Sequence, residues 1–211
     1  MGLISAASTI FDAGSMSAGF GGSMVFIKKL TASGSGTLSF VDGASGVVLD
    51  DTYKEYVFTF KNIHPQTDNT SPTVGFRDGG TAYDAVKTTT SFGAYHSESG
   101  SESSLNYQTA TDLVQSTANQ TLNFYNTVNA NEADSSISGS LTLFNPSSTV
   151  FVKHFMSNVN SMHQDGTSRY SVPSYIAGYN NVTAAIDGVQ FAMTSGNIDS
   201  GKIKLYGIKD S

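Results

Sequence analysis

The chain has 211 residues, no cysteine and a formal charge of −6, and 13% of its residues are charged, about half the share usual in a globular domain. That balance has the wrong sign for a basic nucleic-acid binder, the missing thiols exclude a disulfide scaffold or a thiolate zinc site, and no stretch approaches the roughly 20 apolar residues of a membrane-spanning helix. The length suits one domain with its own core.

Residues 1–22 are small and weakly apolar, with Gly14, Gly19, Gly21 and Gly22 toward their end and no basic start of the kind a secretory signal carries. They predict an arm or tether, and residues 23–211 a β-sandwich domain. Leu3, Ile4, Ile10, Phe11, Met16 and Phe20 are the apolar residues of the arm and the candidates for anchoring it to a partner.

From Ser23 onward short apolar and aromatic runs recur between turn signals. Met24-Val25-Phe26-Ile27 leads into two lysines, and residues 37–41 alternate with period two up to Asp42-Gly43, a hairpin-type dipeptide. Residues 53–63 place Tyr56, Phe58 and Phe60 on one face, and His64-Pro65 ends that strand. Residues 73–77 form a short strand closed by Asp78-Gly79-Gly80, and another covers residues 88–95. Residues 97–119 are rich in Ser, Glu, Thr and Gln and carry little pattern; residues 120–125 follow as a short strand.

Residues 136–145 set Ile137, Gly139, Leu141 and Leu143 against Ser138, Ser140, Thr142 and Phe144. Pro146-Ser147-Ser148 then turns the chain into a second strand over residues 149–156. Residues 168–179 put Tyr170, Val172, Ser174, Ile176 and Gly178 in one register and Tyr175 and Tyr179 in the other. Runs over 185–194 and 203–208 complete the set. Helical periodicity is almost absent, its one candidate at residues 112–118 being too short to matter. About ten short strands at 8–12-residue spacing predict an all-β fold, an antiparallel sandwich or barrel. Phe58, Phe60, Leu141, Leu143, Phe191 and Leu205 are its expected core.

Chemistry-bearing patterns are sparse. The four histidines, His64, His96, His154 and His163, lack metal-site spacing, although His154 and His163 could approach across strands with His96 or Asp165 near them. Asp50, Asp51, Glu55, Asp84, Glu98, Glu102 and Glu132 are the carboxylates a glycosidase cleft could draw on, and no pair among them stands out. There is no G-x-S-x-G elbow and no phosphate-cradling loop. Tyr170, Tyr175 and Tyr179 could form a platform for sugar or pack against a partner. No enzyme activity, cofactor or metal is expected.

Leu141 to Phe155 reads L-T-L-F-N-P-S-S-T-V-F-V-K-H-F, and Phe191 to Ile208 reads F-A-M-T-S-G-N-I-D-S-G-K-I-K-L-Y-G-I. These stretches, with Tyr53 to Pro65 and Phe92 to His96, resemble a β-rich virion structural family of tailed phages of marine bacteria, cyanophages included. The most specific part is the closing turn, Ser195-Gly196-Asn197-Ile198 with Gly201. The resemblance implies a jelly-roll-like sandwich, a place in the virion on capsid or tail, and other virion proteins as partners. It carries no catalytic residue. It implies a non-enzymatic capsid decoration or small projecting knob or fibre; the alternative is a tail-fibre tip recognising host surface glycan. Low charge and many aromatics predict a homo-oligomer, and the phage resemblance makes it a trimer.

Overall fold

A computed structural model describes residues 3–5, 8–12, 15–16, 23–123, 128 and 130–210, the first three segments as backbone only. Among these there is no helix. The strands are β1 (Leu3–Ser5), β2 (Ser8–Asp12), β3 (Ser15–Met16), β4 (Met24–Thr31), β5 (Thr37–Val41), β6 (Glu55–Pro65), β7 (Pro72–Arg77) and β8 (Lys87–Ser97). The remainder are β9 (Ser103–Tyr107), β10 (Gln120–Thr121), β11 (Ile137–Phe144), β12 (Lys153–Asp165), β13 (Ser168–Asn180), β14 (Gly188–Met193) and β15 (Ile198–Ile208). β1, β2 and β3 form a small antiparallel sheet of their own, so the segment expected as an arm contains paired strands.

The rest is an antiparallel β-sandwich, and its pairing follows one rule. Eight strands pair first with last and inward: β4 with β15, β5 with β14, β6 with β11, β7 with β10. Two further ladders, β15–β6 and β14–β7, join these pairs into the sheets β4-β15-β6-β11 and β5-β14-β7-β10. This is the jelly-roll wrap, a long antiparallel ribbon folded over itself. Two hairpins interrupt it. β8–β9 lies between β7 and β10, β12–β13 lies between β11 and β14, and both add to the β11 edge in the order β11-β12-β13-β8-β9.

Period-two alternation builds the core where it was expected. Phe58 lies in register between Leu141 and Leu205, and all three are fully buried. Phe191 of β14 meets Phe60 at 5.2 Å, Phe58 at 5.4 Å and Phe40 at 6.3 Å between ring centroids, each edge to face. Phe76 of the small sheet packs on Phe155 of the inserted hairpin at 4.8 Å. Beyond Phe155 the inner face of the insertion mixes buried Val159, Val172 and Ile176 with polar residues. Asn123 Oδ1 accepts from Ser161 and Ser174 hydroxyls, each at 3.1 Å, and Thr89 Oγ1 donates to Gln120 Oε1 at 2.6 Å.

Three expectations are corrected. Asp42-Gly43 turns the chain but makes no hairpin, because β5 pairs with β14 and the chain crosses to the other sheet before β6. The strand expected over 149–156 begins only at Lys153; Val150 and Phe151 sit exposed in the connection, and β12 runs on to Asp165. In the patternless stretch of residues 97–119 lie β9 and a segment fastened to β8 by backbone bonds, such as Thr89 N to Leu113 O at 2.9 Å, and by side-chain bonds, such as Ser91 N to Asp112 Oδ1 at 2.7 Å. Of the strand expected over 120–125, β10 covers Gln120–Thr121, while residues 124 and 125 lie outside the described residues.

The closing turn needs its glycine twice over. Gly196 has φ +69°, and a Cβ there would run into the Thr67 side chain. Its neighbours tie the sheets together, Gln66 N donating to Asn197 O at 2.9 Å and Ser195 N to Thr70 Oγ1 at 3.1 Å.

Phe191→Ala removes the ring that touches three others and is expected to cost about 3–5 kcal/mol. Guanidinium unfolding should show a lower midpoint at unchanged slope.

Candidate interaction surface

The outward positions of the inserted strands form one face. They are residues 88–96 of β8, 171–179 of β13 and 154–162 of β12, taken alternately, and they hold no Asp, Glu, Lys or Arg. Phe92 and Tyr175 are cross-strand partners whose rings stack at 5.2 Å and 13°. Tyr107 of β9 is the next partner along that row, so a ridge of three aromatics crosses β9, β8 and β13. Phe92 is 45% exposed, Tyr107 58% and the nearby Met156 58%, values at odds with a residue there to support folding. The Tyr107 hydroxyl donates to Asp112 at the sheet edge, and that bond lifts the phenol above its ordinary pKa.

Two shallow hollows flank the ridge. One is lined by Thr88, Thr90, His154, Met156, Ala177 and Tyr179, the other by His96, Asn160, Met162 and Ser171 with Glu98 at its rim. Small side chains at Ala177, Thr90 and Ser171 open them. The arrangement offers flat apolar area, two imidazoles, and amide and hydroxyl groups. This is chemistry for contact.

Of the expected tyrosine platform, Tyr175 and Tyr179 lie on this face. Tyr170 does not: its register partner is on the inner side, where its ring stacks on His163 at 5.8 Å and meets Tyr95 at 5.8 Å, and its hydroxyl donates to Glu102 at 3.0 Å. Phe92 replaces it. Its signal was present in Thr88, Thr90, Phe92 and Ala94, an outward alternation that looks like any half-exposed strand.

The histidines do not converge. His154 and His163 belong to the same strand, so they stand ~30 Å apart at about 3.3 Å per residue and cannot meet across strands. His64 Nδ1 is bonded to Ser135 O at 2.6 Å, beside a hollow that also holds Asp134 and Asp199. Among the described residues no group of three or more His, Asp or Glu could hold a metal ion. The candidate carboxylates are dispersed: Glu132 pairs with Arg169 at 3.4 Å, and Asp50 accepts from Thr52 N at 2.8 Å, bonding to Thr52 that lowers its pKa. The strongest ion pair is structural, Arg77 forking onto Asp187 at 2.8 and 3.0 Å where β7 and β14 meet.

Compared with protein-family models, curated proteins and solved structures, the chain matches none. The surface is therefore the ground on which function is argued. As for the arm candidates, Leu3 and Ile4 fall in β1, Ile10 and Phe11 in β2 and Met16 in β3, while Phe20 lies outside the described residues.

Tyr175→Ala and Phe92→Ala should each cost no more than about 1.5 kcal/mol, the worth of one exposed ring pair. Denaturant unfolding of the two variants beside Phe191→Ala checks that the ridge is dispensable for folding.

Proposed function

We propose that this chain is a structural protein of a tailed-phage virion, acting by assembly and not by catalysis, with the uncharged outer face of β9, β8, β13 and β12 as its contact surface. The observation that carries this reading is the grouping of Phe92, Tyr107, Tyr175 and Met156, all exposed, on one face free of charged side chains. Contiguous apolar surface of this kind marks a site of association. Its occupant is a second copy of the chain. Each copy carries a formal charge of −6, and the outward strand positions by which two copies would meet bear no carboxylate, with Asp112 and Glu98 only at the rim.

The wrap supports the reading by analogy, since jelly rolls build many viral shells, although a fold alone fixes no function. The resemblance of residues 141–155 and 191–208 to the virion family points the same way. In this reading the protein is a trimer that decorates the capsid or forms a small knob or fibre. Its N-terminal segment, through Leu3, Ile4, Ile10, Phe11, Met16 and Phe20, holds it to other virion proteins.

Sedimentation of the full chain at micromolar concentration is expected to show the trimer, and Tyr175→Asp with Met156→Asp to give monomers of unchanged circular dichroism. A monomeric parent protein overturns the assembly. Deleting residues 1–22 should leave the sandwich folded and abolish incorporation into particles; normal occupancy of the truncated protein would move the anchor onto the sandwich.

A second reading rests on the same ridge. The Phe92–Tyr175 stack lies beside Asn158 and Asn160, the pairing of apolar ring and amide that suits a sugar, and makes the chain a tail-fibre tip recognising host surface glycan. Retention on a glycan array that Tyr175→Ala abolishes would favour it over self-assembly.

A further inference from the structure

The inner side of the insertion carries a row that packing does not explain. Register sets Asn180 of β13 between Lys153 of β12 and Lys87 of β8. All three side chains are fully buried. Among the described residues neither lysine has a carboxylate within ion-pair distance. The Asn180 amide makes no hydrogen bond at Oδ1 or at Nδ2. A buried unpaired ammonium and a buried idle amide are both costly, and here they are neighbours.

The two lysines differ in how they face the asparagine. In an antiparallel ladder a residue's N–H and C=O point to the same side. Lys87 turns both toward Ser116, at 2.9 and 3.0 Å, and so away from β13. Lys87–Asn180 is therefore a non-hydrogen-bonded pair, the kind whose side chains approach more closely, about 4.5–5.5 Å between Cβ atoms. The lysine chain is long enough to bring Nζ against Asn180 Cγ across that gap. Lys153 lies on the other, wider side. Its Nζ is held by two carbonyls, of Val182 at 3.0 Å and of Ala184, whereas Lys87 Nζ donates only to Ala118 O at 2.8 Å.

We propose that Lys87 and Asn180 condense into an intramolecular isopeptide bond that joins β8 to β13. The neutral Lys87 amine attacks Asn180 Cγ. The Nζ–Cγ bond forms, the Cγ–Nδ2 bond breaks, and Nδ2 departs as ammonia with the proton that Nζ gives up. No oxidant or reductant takes part. Burial pushes the Lys87 ammonium down to about 8, which brings the attacking neutral amine within reach near neutral pH. Asp84 and Asp78 are the carboxylates whose charge acts on Lys87, from beyond ion-pair distance. The product replaces a buried cation with a neutral amide. It also closes a long loop in a chain that has no cysteine with which to form a disulfide.

The test is the mass of the full chain under denaturing conditions, followed by a peptide map. The wild-type protein is expected one ammonia below its sequence mass, with a branched peptide linking Lys87 to Asn180. Lys153→Met should keep that link; Lys87→Met and Asn180→Ala should each return to full sequence mass. A wild-type chain at full mass overturns the proposal, as does an ammonia loss mapped elsewhere, Lys153 included. The wild-type map decides even if a variant fails to fold.

Discussion

The sandwich depends on one ring. Phe191 lies on β14, inside the small sheet, and reaches across to Phe58 and Phe60 on β6, inside the large one, while Phe40 on β5 closes around it. The wrap makes both strands interior to their sheets, so the ring is shielded on every side, and Phe191 is 2% exposed. Burial of each such ring contributes on the order of 1.5–3 kcal/mol, and edge-to-face contact adds to it. The first-with-last pairing follows from this arrangement. β4 and β15, distant in sequence, are neighbours because the ribbon must fold over to place β14 above β6.

The insertion joins that core by Phe155 against Phe76, with Val159 and Ile176 in the same cluster. Further out its inner positions mix Val159, Val172 and Ile176 with Ser157, Ser161, Ser174 and Thr89, all buried, and Gln120 of β10 faces Thr89. Polar groups can stand there only because each finds a partner: Asn123 serves two hydroxyls, and Gln120 Nε2 donates to Thr111 O at 3.1 Å and Thr121 O at 2.8 Å. Such a network specifies one register, since a slip would leave several of these groups unsatisfied. The outer face of the same strands is then relieved of any part in folding. It can carry exposed Phe, Tyr and Met without charge.

The same division decides what the sequence reveals. β5, β6, β7, β11 and β13 alternate apolar with polar because one side meets the aromatic core, and period two finds them within a few residues. β12 was half visible. Phe155 and Val159 announce it, but Ser157 and Ser161 break the apolar inward run, and Val150-Phe151, apolar yet exposed, falsely extends it backward. β9 has no apolar inner side at all. The outer ridge was legible only in part, through Tyr175 and Tyr179, since Phe92 reaches it from a strand far away in sequence. Lys87, Lys153 and Asn180 gave no warning. Each stands at a strand end where a polar residue is ordinary, and only non-local pairing puts them side by side indoors.

The inner row and the outer ridge are two readings of one ladder. β8 and β13 pair Lys87 with Asn180 at one end and Phe92 with Tyr175 further along, on the opposite face. A shift of one residue in that ladder would turn Phe92 inward and Lys87 outward. Beyond β8 the sheet has only five-residue β9 and a segment held by a few backbone and side-chain bonds. In the proposed assembly, a surface that presents stacked rings to another copy requires its strands to hold station under load. The proposed amide between Lys87 and Asn180 would supply that from beneath, in a chain with no thiol to do so.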